Sequence, residues 1–283
     1  MNGWSLERQP GGTWLLRGGE RCLRVPPAAV VVGRGGDPVL SAAVRRALAG
    51  MPPSHRSRLR WRWIWLHVTV VPAAPVRRAA RILAPATQGR FLAAAGLLGL
   101  AAAVAQQWWW PHPERGFTWA TAMGILLAAL VHELGHAAAL WRGGYFPGGI
   151  GLGMMGILPV LTCDVSCVNL LPRRARLRVD LAGPAWQALV AGLLALAGGW
   201  SRRGDLLLAS AGAWLGVAWS LVPWGRSDGY WALRDLLAGE GGPEDAGRAR
   251  RILRRLLDGL VLVPALAGLV WLVRRLAAAL FSA

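Results

Sequence analysis

The chain has 283 residues, is 54% hydrophobic with a mean hydropathy of +0.38, and carries 17 Trp against 2 Tyr and 4 Phe, a composition that excludes an ordinary soluble domain. Its net charge of +18 arises from 32 Lys+Arg and 14 Asp+Glu, and every one of those cations is Arg. Such a balance suggests nucleic acid, but residues 1–90 hold 15 Arg and only three acids (Glu7, Glu20, Asp37), the asymmetry of a cytoplasmic flank under the positive-inside rule. The expected partner is therefore a lipid bilayer and not nucleic acid.

The N-terminal MNGWSLERQPGG lacks the basic start, apolar run and small-residue site of a secretory signal, so the N-terminus is expected to stay in the cytoplasm. Residues 1–50 alternate short apolar stretches (TWLLR, CLRVPPAAVVV) with Gly and Pro and then give the helix-like LSAAVRRALAG. They predict a small cytosolic α+β module, too short to bury much core alone. Residues 51–90 are rich in Arg and Trp around a brief apolar patch and predict an interfacial linker at headgroup level. Cys22, Cys163 and Cys167 cannot pair completely and lack the spacing of a structural zinc site; they read as free thiols in a reducing compartment.

From residue 91 the chain predicts a transmembrane domain of about five helices, each near the ~20 residues a bilayer requires. The runs are 91–110, whose Trp cluster reads as an interface anchor, then 118–141, about 180–199, about 206–224, and a short last run at 259–273. Between the second and third lies a Gly-rich stretch, 143–164, whose seven glycines weaken a helix and suggest turns and short extended segments. Arg173, Arg174, Arg176 and Arg178 precede the third run, and Arg248, Arg250, Arg251, Arg254 and Arg255 the fifth, so both loops are expected inside. The expected fold is an all-α polytopic protein of the cell membrane, divided into residues 1–50, 51–90 and 91–283.

The second run contains VHELGH. In a helix, residues four apart lie about 40° round and about 6 Å along the axis, so His132 and His136 share a face and can bind one ion. Glu133 lies about 100° from His132, near an ion without being an easy ligand, which suits a general base. Gly135 removes a side chain beside the pair and lets another backbone or a substrate approach. An H-E-x-x-H helix is a zinc-hydrolase signature, and zinc there would lower the pKa of a bound water to about 7 for Glu133 to deprotonate. A structural polar cluster is the bland alternative, but ionisable groups inside a span are costly and functional by default.

A hydrolytic zinc site needs a third protein ligand. His55, His67 and His112 all precede the motif, so a carboxylate is expected, with Asp164, Asp180 and Asp228 competing. Asp228 is the best placed: it closes the fourth apolar run in SLVPWGRSDGYW, where Pro223 breaks the helix and Gly229 frees the backbone. Asp180, at a span's edge, suits a capping role, and Asp164 is the second choice.

Over roughly residues 118–238 these features resemble the site-2 protease family of intramembrane zinc metalloproteases: the HELGH helix, a Gly-rich segment, Ala182–Gly183–Pro184, and Pro223-x4-Asp228–Gly229. The resemblance implies that His132, His136 and Asp228 are zinc ligands and that Glu133 is the catalytic acid/base. It also implies a membrane-embedded β-hairpin over about 145–163 that presents an edge strand to an extended peptide or transmembrane substrate. Two positions depart from the family pattern, Ser220 and Gln187 standing where Asn is usual; both can hydrogen-bond, and auxiliary or substrate-holding roles are assigned to them. HELGH followed by Arg-Gly-Gly, Pro159-x4-Asp164 and D-G-Y-W-x-L-x-D is also similar to the peptide zinc metalloproteases encoded alongside ribosomally made, modified peptides. That similarity implies precursor or leader processing, with residues 13–50 as a leader-peptide-binding domain or else a nonspecific basic module. The rival reading is a noncatalytic membrane protein, a peptide-binding, immunity or export partner that keeps the metal but not turnover.

Overall fold

The computed structural model describes residues 4–9, 12–18, 21–32, 38–40, 64–109, 117–155, 158–223 and 227–237. These are mostly helical, with small sheets, and they group into two compact units, residues 1–88 with 133–175 and residues 89–132 with 176–283. The division falls within one continuous helix, between His132 and Glu133.

In the first unit, β1 (Trp4–Arg8), β2 (Trp14–Gly18) and β3 (Arg21–Val25) form an antiparallel meander. A second pair, β4 (Val30–Val32) and β5 (Pro38–Leu40), follows it. Alternation along β2 buries both faces, since Leu15 and Leu16 point oppositely and are both inaccessible. Leu16 packs with Val25 and Leu40, and partly buried Leu6, Trp14 and Leu23 complete that small core. The opposite face, on which the register aligns Glu7, Leu15 and Arg24, meets the rest of the unit. There Arg24 donates to the Tyr145 hydroxyl and to the Leu170 carbonyl (3.2 Å), and Cys22 is disulfide-bonded to Cys167. The meander thus buries both faces of β2, one of them against the rest of the unit, and two of the three cysteines expected as free thiols are paired, Cys163 standing outside the disulfide. The pairing joins residues 145 positions apart, which only folding brings together. The helix expected at 40–50 lies outside the described residues beyond Leu40.

Within the Arg- and Trp-rich segment 51–90, residues Ile64–Val71 form a strand, β6, followed by the helix α1 (Ala73–Leu83). IWLHVTVV is dense in β-branched and aromatic residues and too short to span, so it fits a pleated surface better than a lone interfacial run. The expected hairpin is present as β7 (Ile150–Met155) and β8 (Leu158–Cys163), and β6 pairs with β7 to give the sheet order β6-β7-β8.

The remaining helices are α2 (Gly89–Trp109), α3 (Trp119–Arg142), α4 (Arg173–Ser201), α5 (Gly204–Leu221) and α6 (Asp228–Leu237). Three of them, α3, α4 and α5, are long and apolar enough to cross a membrane, and α2 is apolar over Gly89–Ala102. The fifth expected span, 259–273, and the side chains of Trp108–Trp110 lie outside the described residues. Arg173, Arg174, Arg176 and Arg178, expected in a loop, occupy the first turns of α4 instead.

Small residues let the helices of the second unit approach closely, as apolar surroundings require. A Cβ on Gly99 of α2 would sit 2.3 Å from the Ala188 carbonyl oxygen of α4, while Ala128, Ala191 and Ala213 form the junction of α3, α4 and α5. Ser210 adds a hydrogen bond from α5 to the Ala191 carbonyl of α4 (2.8 Å). Outward, Leu97, Leu98, Met123, Leu126, Leu127, Leu193 and Leu196 are exposed, and Trp119 (84%) and Trp200 (92%) stand free at one end, as lipid-facing positions and an aromatic belt do. At that end the buried Asp205 receives Leu206 N–H, Thr118 Oγ1 and the Arg203 guanidinium, and Thr121 donates to its carbonyl. That cluster ties the start of α3 to the start of α5.

Candidate metal centre

His132 and His136 lie one turn apart on α3, both buried, in the pattern the sequence predicts. The third candidate ligand comes from a different stretch of chain. Asp228 Oδ2 lies 3.0 Å from His132 Nε2, and one ligand atom each from His132, His136 and Asp228 fall within 4.8 Å of one another. Ligand atoms about 2.0–2.1 Å from a tetrahedral ion are about 3.3 Å apart, so this group can hold one metal ion. It is the only set of three or more such groups found among the described residues.

The residues flanking the start of α6 explain how Asp228 arrives there. α5 ends at Leu221, two residues before Pro223, as the proline predicts. Ser227 then caps α6: its hydroxyl donates to the Val222 carbonyl (2.6 Å) and accepts from Tyr230 N–H (3.1 Å), leaving Asp228 in the first turn. A Cβ on Gly229 would sit 1.9 Å from the Leu221 carbonyl oxygen, so glycine is required for α6 to start this close to α5. At the far end of α6, Asp235 is buried and receives Arg176 of α4 (2.6 Å) and, more weakly, Arg234 (3.4 Å). Helix α6 is therefore fastened at both ends. Neither Ser227 nor the Arg176–Asp235 pair stands out in the sequence; Ser before an acidic first turn is the readable signal for the former.

Gln187, expected as auxiliary or substrate-holding, is buried behind His132. Its Nε2 donates to the Ala213 carbonyl (3.1 Å), which turns Oε1 toward His132 Nδ1 at 2.7 Å. An amide oxygen only accepts, so Nδ1 is the donor in that bond, and Nε2, the atom facing Asp228, is the nitrogen on the side of the candidate ligand group. Gly216 makes room for this amide, since a Cβ there would lie 2.4 Å from Gln187 Nε2. The amide thus holds the His132 ring from α4 and α5 together.

Glu133 accepts a hydrogen bond from the backbone N–H of Cys163, the last residue of β8 (2.6 Å). The carboxylate is thereby held at the end of that strand. Asp164 N–H donates to the Gly149 carbonyl (3.0 Å), so residues 164, 162 and 160 point their backbone groups at β7. Cys163, Leu161 and Pro159 point theirs away, toward the edge of the sheet that no other described strand pairs with. Proline, without an N–H, falls on the outward position that edge strands allow it.

The competing acids sit elsewhere. The Asp164 carboxylate accepts from Ser166 N–H (3.1 Å) and from its hydroxyl, closing the turn into the 3-10 segment Ser166–Leu170. Asp180 lies inside α4 and not in the ligand group. Ser220 donates to the Val217 carbonyl one turn back (3.0 Å) and leaves its oxygen as an acceptor. Comparison with known proteins finds no matching family model, no matching curated protein and no matching solved structure.

Proposed function

We propose that this protein is an intramembrane zinc metalloprotease, cutting a peptide bond in a membrane-associated peptide or transmembrane segment, with its N-terminus and the arginine-rich start of α4 on the cytoplasmic side. The observation that carries the reading is the convergence of His132, His136 and Asp228 around one point, with Glu133 adjacent in sequence and anchored to β8. Two imidazoles and a carboxylate leave an open position on a tetrahedral ion, the donor set of a hydrolytic zinc site. Zinc bound there would supply positive charge that acidifies water and polarises a carbonyl.

The chain's own groups would do the rest. Gln187 keeps His132 in its ligating tautomer. Glu133, held by Cys163 N–H, is positioned to take a proton from water and hand it to the departing amine. The outward edge of β8 offers the Leu161 N–H and carbonyl and the Pro159 carbonyl to an extended peptide, ending where Cys163 N–H is already given to Glu133. A strand added along that edge would run up to the general base. Residues 13–50 would bind a precursor's leader, as the narrower resemblance implies, and the run 259–273 would complete a bundle of about five spans.

Purified protein in liposomes, given a panel of fluorophore-labelled single-span peptides, tests the reading. Glu133→Gln should keep its zinc and lose cleavage to background. Unchanged cleavage in that variant would remove Glu133 from the general-base role, and a wild type that binds zinc and peptide without cutting any of the panel would favour the noncatalytic partner instead.

A further inference from the structure

Helix α1 separates its three arginines by what they touch. Arg77 is fully engaged, reaching Glu7 (3.3 Å), the Pro147 carbonyl (3.0 Å) and the face of Phe146 (4.8 Å to the ring centroid). Arg78 and Arg81 are exposed and make no hydrogen bond or ion pair among the described residues. On the same face, four residues after Arg78, Ile82 is 71% exposed, while Val76 and Ala80 bury the opposite side. The helix contains no acid.

An isoleucine set between unpaired guanidinium groups is poorly placed for water and poorly placed for oil. It suits the boundary, where arginine meets phosphate and the apolar side chain enters the acyl region. Chain length fixes α1 near that boundary. From Leu83 to Gly89, where the apolar α2 begins, the backbone can extend at most about 22 Å, and the 3-10 turn Ala84–Thr87 shortens it further. At the entrance to α2, Arg90 and Phe91 are again exposed, the guanidinium 5.2 Å from the ring centroid.

We infer that α1 lies on an anionic bilayer surface, Arg78 and Arg81 pairing with lipid phosphates and Ile82 inserting beside them. This surface is independent of the proteolytic reading, since it uses none of the metal-site residues. Each arginine near such a surface strengthens association about fivefold, and the two together about 25-fold.

The test uses the full chain in nanodiscs, with Ile82→Cys labelled by an environment-sensitive fluorophore on a Cys163→Ser background. Phosphatidylglycerol is raised stepwise in phosphatidylcholine, and shielding from aqueous iodide is followed together with quenching by nitroxide-labelled headgroups. Shielding and headgroup quenching should both rise with the anionic fraction and fall at high salt. Arg78→Gln or Arg81→Gln alone should weaken the apparent lipid affinity about fivefold, and the double variant about 25-fold. Equal iodide access in both lipids, or an anionic response unchanged in the double variant, overturns the proposal. So does shielding that appears only when an acidic protein is added, which would give the face to a protein partner.

Discussion

Replacing Gln187 by Leu tests the idea that a buried amide sets the metal-binding state of His132. The substitution removes the acceptor 2.7 Å from His132 Nδ1 and the donor that fixes it on the Ala213 carbonyl, in a place where Gln187 is only 7% exposed. The imidazole then has an N–H buried without a partner, a loss of about 1–3 kcal/mol, and it can relieve this by moving its proton to Nε2, the ligating atom. Partners that orient a ligating histidine are typically worth about 10–100-fold in metal affinity, which is about 1.4–2.7 kcal/mol and falls inside that range. Zinc affinity of the purified protein in detergent, measured by competition with a chelator, should therefore weaken by about 10–100-fold. Gly216→Ala perturbs the same amide without touching it chemically: the new Cβ would lie 2.4 Å from Gln187 Nε2, against ordinary contact of 3.4 Å or more. Displacing the amide by about 1 Å strains the bond to Ala213, so a smaller loss, about threefold to tenfold, is expected. A Gln187→Leu protein that melts normally and binds zinc within twofold of wild type would refute the reasoning.

Two further outcomes follow from the same geometry. Asp228→Ala should lose stoichiometric zinc, whereas Asp164→Ala should retain it and suffer only a looser turn, because Asp164 is spent on Ser166; elemental analysis of the two proteins side by side decides the ligand. Asp235→Ala leaves the guanidinium of Arg176 buried without its main partner, one side chain being 13% and the other 1% exposed, so a loss of about 3 kcal/mol is expected. Thermal unfolding in detergent should show it, and because the pair anchors the helix that begins with Asp228, zinc affinity should fall as well.

Local features are legible in residue order alone. The helical run around His132 and His136, the end of α5 before Pro223, and the short extended segments within the glycine-rich stretch all depend on contacts a few residues apart, and those are written in spacing and residue type. Three candidate spans are likewise readable from apolar length. The strand Ile64–Val71 is not, because its apolar patch is ambiguous until β7, some eighty residues later, supplies the pairing edge. The cysteines mislead for the same reason: three thiols suggest no framework until folding lays β3 against the segment holding Cys167.

By itself the sequence determined that two histidines and a glutamate ride on one apolar helix, since a period of 3.6 residues needs no other information. It also ranked Asp228 ahead of Asp164 and Asp180 as the third candidate ligand, from the proline and glycine around it. Tertiary structure brought that carboxylate to the imidazole pair, turned Gln187 into the partner of His132, and set Glu133 at the end of β8. Each of those contacts joins residues thirty or more positions apart, where side-chain packing and backbone direction, not local propensity, decide which atoms meet.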